Sequence, residues 1–79
     1  MKFTKDELFL LKLHEHALKK GNPYEPIDRY VVGKEMGQNS HAIDNIVRHL
    51  AQANFLKKDE ENHVYLTQNG LNLIAILQE

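Results

Sequence analysis

Five histidines are the first residues in this chain that invite chemistry. His14-Glu15-His16 has the composition of a metal-ligating run, but residues two apart on a helix point to nearly opposite faces. His41 and His49 lie about two helical turns apart, with no clear third ligand. A metal centre needs convergent ligands, and the chain has no cysteine to supply a thiolate. No nucleophile, base and orienting partner can be grouped, and no phosphate-loop glycines are present. The four glycines fall at helix ends, at a packing position and in a turn. Phe3 and Phe55 are expected in the core. Tyr65 should point to the opposite strand face from Val64 and Leu66, Tyr24 and Tyr30 have no assigned place, and no aromatic row suits single-stranded nucleic acid. The expectation is a protein that is not an enzyme and carries no metal or cofactor.

Something other than covalent staples must position whatever side chains do act. The chain has 79 residues, 42% hydrophobic and 27% charged, the balance of a folded globular protein. That length suits a single domain, 1–79, with one core held by packing and with help from oligomerisation. No apolar run approaches the length of a membrane span and no signal-peptide pattern opens the sequence, so a cytoplasmic address is expected.

The elements are legible from caps and periodicity. Thr4 and Glu7 have capping-box spacing, Phe3 and Leu8 that of a hydrophobic staple. This predicts a helix to about Lys20, stopped by Gly21. Leu10, Leu11, Leu13, Ala17 and Leu18 give it a wide apolar face. Phe9 lies on the opposite side, so the apolar surface wraps far round. A loop from Gly21 to Pro26 comes next. Asp28 then caps a short helix over Arg29–Met36, in which Val32 and Met36 point inward, Gly33 allows close approach and Gly37 makes the stop. Asn39 or Ser40 caps a third helix whose Ile43, Ile46, Val47 and Leu50 recur at helical spacing, with Ala53 continuing the face and Asn54 ending it. Phe55–Lys58 and His63–Leu66 read as a β-hairpin around Asp59-Glu60-Glu61-Asn62. Thr67 caps a last helix to about Gln78, coated almost all round by Leu71, Leu73, Ile74, Ile76 and Leu77. A helix so apolar is expected to be buried against more than one neighbour, one of them another subunit.

Three segments in register carry a resemblance. Met36-Gly37-Gln38-Asn39-Ser40-His41-Ala42-Ile43 resembles the turn of a helix-turn-helix. Leu50-Ala51-Gln52-Ala53-Asn54-Phe55-Leu56 resembles the end of its recognition helix, with Asn54 where Gly is common. Val64-Tyr65-Leu66-Thr67-Gln68-Asn69-Gly70 resembles the second wing strand and the Leu-Thr-x-x-Gly opening of the next helix. Together they make the chain similar to winged helix-turn-helix domains of the MarR-like and PadR-like bacterial regulators. The fold so implied is mainly α with a small β-hairpin: a three-helix core, a two-stranded wing and a C-terminal helix.

The resemblance implies a sequence-specific, double-stranded DNA-binding transcriptional regulator, reading the major groove with helix 39–53. The apolar excess of the first and last helices leads to the expectation of a homodimer through them. Carried over by position, the DNA-binding residues are Gln38, Asn39, Ser40, His41, Asp44, Asn45 and Arg48, with Lys57 and Lys58 reaching backbone from the wing base. Asn and Gln can pair with adenine, Arg with guanine, and Asp can accept from cytosine. Each also has a local role. Asn39 is a cap, Asp44 and Asn45 suit a solvated helix face, and Arg48 can pair with Asp44 one turn away. Charge is the counterweight. The net charge is -1. The surplus of lysine lies in the first helix, the third helix is neutral, and the hairpin tip is acidic. Phosphate neutralisation dominates non-specific DNA affinity, so a monomer should bind weakly. The alternative is a winged-helix protein-interaction module, or a small subunit of a larger assembly, without DNA binding.

Overall fold

The computed structural model describes residues 2–79. Among them run α1 (Lys5–Lys19), β1 (Ile27–Asp28), α2 (Arg29–Glu35), α3 (Ser40–Gln52), β2 (Leu56–Lys58), β3 (His63–Leu66) and α4 (Gln68–Leu77). The architecture is mainly helical, with a small three-stranded antiparallel sheet in the order β1-β3-β2. No helix among the described residues is long and apolar enough to cross a membrane.

Local chemistry accounts for the helix boundaries. At the start of α1 the Thr4 hydroxyl accepts from the Glu7 amide at 3.1 Å, and the Glu7 carboxylate accepts from the Thr4 amide at 2.8 Å. This is the expected capping box. Asp28, Asn39 and Thr67 cap the other three helices, each accepting from an amide in the first turn. The first three helices end alike. The residue after the C-cap, Gly21, Gly37 or Asn54, is left-handed, with φ of 91°, 74° and 64°. Its N–H and that of the next residue donate back to carbonyls of the last turn. These are Schellman stops, and they set the angles at which the chain leaves α1, α2 and α3.

The core is one cluster built from nearly every element: Phe9, Leu10 and Leu13 of α1, Ile27 of β1, Val32 of α2, Ile43, Ile46, Val47 and Leu50 of α3, Leu56, Val64 and Leu66 of the sheet, and Ile74 of α4. Helical spacing in α3 and strict alternation in β3 select these positions. Gly33 sits where α2 crosses α3. A side chain there would collide with Ile43, so its absence lets the two helices close.

Four expectations need correction. The sheet is not a two-stranded wing: Ile27 pairs with Val64 and Asp28 with His63, adding a third strand at the hairpin's inner edge. Two residues are too few to show alternation, and Asp28 signals only its cap. Phe9, not Leu18, belongs to the core; Leu18 is 51% exposed. Phe3 is also outside the core at 37% exposure, and Ala53 is exposed. Within the single chain, α4 buries Gly70 and Ile74 and leaves Ile76 63% exposed.

Candidate nucleic-acid interface

With Ile43, Ile46, Val47 and Leu50 turned inward, the helical angle puts His41, Asn45, Arg48 and Gln52 about the centre of the outward face of α3. Asp44 lies on one flank. His41, Asp44 and Arg48 are exposed and Asn45 is half-buried. The turn before α3 adds the half-buried Gln38 and the exposed Asn39 and Ser40. The fold therefore gathers the first seven expected residues onto one polar surface.

These residues are not equally available. The Asn39 side-chain oxygen accepts from the Ala42 amide at 2.9 Å and so serves as the cap. Arg48 donates from Nη2 to Asn45 Oδ1 at 2.7 Å, replacing the expected Arg48–Asp44 ion pair. A two-bonded contact of Asn45 to adenine would therefore share that oxygen with Arg48. Gln38 is the one amide of this group with neither end engaged by described residues.

Asp44 belongs to a different network. Its Oδ1 accepts from the Tyr30 hydroxyl at 2.8 Å and lies 3.5 Å from Arg29 Nη1. Arg29 is only 9% exposed. Its backbone N–H and its Nε both donate to the Asn62 carbonyl, at 3.0 and 3.2 Å. One buried guanidinium thus links α3 to the hairpin tip, where the Asn62 carbonyl accepts from it and the half-exposed Asp44 carboxylate balances its charge. Sequence reasoning missed both Arg29 and Tyr30. Arg29 is separated from its partners by 15 and 33 positions, so no local spacing could have signalled the network.

The Tyr30–Asp44 bond has a measurable consequence. The hydrogen bond to Asp44 raises the Tyr30 pKa above its usual 10.0; partial desolvation and the carboxylate's charge add to this, and Arg29 opposes it. The folded state therefore holds the phenolic proton more tightly than the unfolded chain. That contribution is complete below the unfolded pKa and disappears as pH rises through the folded one. Tyrosinate absorbance should show a late phase, and Tyr30→Phe should abolish it.

The wing-base lysines are exposed on β2 but separate. Neighbours on a strand point to opposite faces. Lys58 shares the face of Leu56, turned toward the helices, whereas Lys57 lies opposite Tyr65 on the outer face. There Lys57, Tyr24, Tyr65, Gln68 and Asn69 line an open cleft of about 340 Å³. The two lysines therefore leave β2 on opposite faces. Two of the five histidines face carboxylates of other helices or their flanks: His16 contacts Glu35 at 2.9 Å and His49 lies 3.8 Å from Asp6. No group of three metal-ligating side chains forms among the described residues.

Compared with family models, with curated proteins and with solved structures, the chain matches none.

Proposed function

We propose that the chain is a winged helix-turn-helix domain that binds double-stranded DNA through the outward face of α3, as a dimeric transcriptional regulator. The observation that carries this reading is the union of three parts. Helix α2 crosses α3 at Gly33, α3 turns a wholly polar stripe outward, and the β2–β3 hairpin is tied beside that stripe by Arg29. A helix presented in this way suits the major groove, while a neighbouring hairpin suits the flanking backbone. The dimer is supported by apolar side chains left outside the core on the first and last helices, Leu18 and Ile76, with Phe3 just before the first.

Arg48 is the permanent cation on the stripe. A guanidinium in the groove reads guanine, and its loss costs about 1–3 kcal/mol of discrimination. Arg48→Ala should therefore weaken binding to a selected duplex about 5- to 100-fold. Its affinity for unrelated duplexes should change much less. Fluorescence anisotropy on both duplexes checks this, and equal losses on the two would reduce Arg48 to a phosphate contact.

A second reading keeps the fold and gives up DNA. It is favoured by the exposed acidic tip, Asp59-Glu60-Glu61, and by an α3 whose one Asp balances its one Arg. In that reading the polar stripe docks a protein surface. Retention on a duplex column at low salt separates the two.

A further inference from the structure

We propose that Asp44 is the specificity-determining residue of this interface, and that it selects a base pair presenting cytosine N4 in the major groove. The proposal rests on the DNA-binding reading above and names what that surface would read.

Asp44 differs from His41, Asn45, Arg48 and Gln52 of α3 in one respect. Its side chain is held from another element. The Tyr30 hydroxyl and the Arg29 guanidinium, both on α2, approach the same oxygen, Oδ1. Asn45 and Arg48 bond only to each other along their own helix. A side chain already fixed in one rotamer pays less entropy on binding than a mobile one, so Asp44 is the best-prepared reader on the stripe.

The same contacts decide which atom reads. With Oδ1 engaged, Oδ2 takes no hydrogen bond from the described residues and is left as the free acceptor. A carboxylate is repelled by phosphates, so near DNA it is tolerable only over base edges. There it requires a donor. Cytosine presents N4–H₂ in the major groove, guanine presents two acceptors, thymine an acceptor and a methyl group, and adenine places an acceptor beside its donor. Cytosine alone offers a donor without an adjacent acceptor. Guanine at this position would face a desolvated carboxylate with lone pairs, the costliest mismatch.

Selection from a pool of randomised duplexes by the full chain tests this. The wild-type chain should enrich cytosine over guanine at one position of each half-site, by roughly tenfold or more, within the 5- to 100-fold typical of a good base contact. In Asp44→Asn, Tyr30 can still hold the oxygen and the amide nitrogen faces the groove. The preference should then invert to guanine. Tyr30→Phe, which removes the shorter of the two contacts on the carboxylate but keeps its charge, should weaken the cytosine preference without inverting it. Circular dichroism would confirm that each variant is folded. If wild-type and Asp44→Asn chains select the same base there, the proposal is overturned and DNA binding stands. If no duplex is enriched by the wild-type chain at low salt, both fall.

Discussion

Neutralising the wing tip, by Asp59→Asn, Glu60→Gln and Glu61→Asn together, should raise affinity for any duplex by roughly ten- to a hundredfold at low salt. The three side chains are exposed. They end a hairpin that Arg29 ties to the α3 side of the molecule. A duplex lying along α3 therefore brings phosphates toward three like charges. At contact distance in water each such pair costs on the order of 1 kcal/mol, and 1.4 kcal/mol is a factor of ten. Screening should reduce the gain as salt rises. Asparagine at position 61 respects the backbone there, because Glu61 has a φ of 52° and asparagine tolerates that region well. Anisotropy at about 50 mM and about 200 mM salt would report both the gain and its loss. An unchanged affinity at the lower salt would mean that the tip does not lie near the duplex.

Gly70→Ala should destabilise the fold by about 2 kcal/mol or more, although alanine is the better helix former. Propensity alone predicts a gain of about 1 kcal/mol for this exchange inside a helix. Packing decides otherwise. Gly70 is buried in the first turn of α4, where a methyl group would collide with the backbone carbonyl oxygen of Phe55. That carbonyl cannot move freely, since it accepts from the Thr67 amide at 3.1 Å. The Thr67 hydroxyl in turn donates to the Asn54 carbonyl at 2.6 Å and accepts from Gly70 at 3.1 Å. Thr67 and Gly70 thus seat α4 on the corner where α3 passes into β2. Overpacking against fixed atoms costs about 1–3 kcal/mol and occasionally more. A domain of this size loses about 4–8 °C in Tm per kcal/mol. Gly33→Ala should also destabilise, because its methyl would meet the Ile43 side chain, which is fully buried and stiff at χ1. Thermal unfolding of both variants checks this. A Gly70→Ala protein as stable as the wild type would contradict this seating of α4.

Caps, stops and apolar periodicity made most of the architecture legible. Thr4, Asp28, Asn39 and Thr67 act on amides within three residues, and Gly21, Gly37 and Asn54 act within one turn. Such local rules need no tertiary knowledge. β1 escaped notice because its stability comes from the distant β3, through Ile27–Val64 and Asp28–His63, rather than from its own two residues. The candidate surface was legible as a set of positions on one helix face. Its internal pairing was not. Arg48 to Asp44 was the obvious helical pair, yet Asp44 is claimed from outside by Tyr30 and Arg29, leaving Arg48 to Asn45. Likewise Lys57 and Lys58 are adjacent in sequence but divided by the pleat. Locally encoded features were recoverable, and those decided by residues brought from elsewhere were not.

The central claim is that α3 and the hairpin beside it form a face for double-stranded DNA. Amide chemical-shift mapping with a short duplex at low salt tests it most directly. Shifts are expected at Gln38–Arg48 and at Lys58–His63, with the amides of α1 and α4 largely unmoved. Shifts confined to α1 and α4, or none at all, would contradict it.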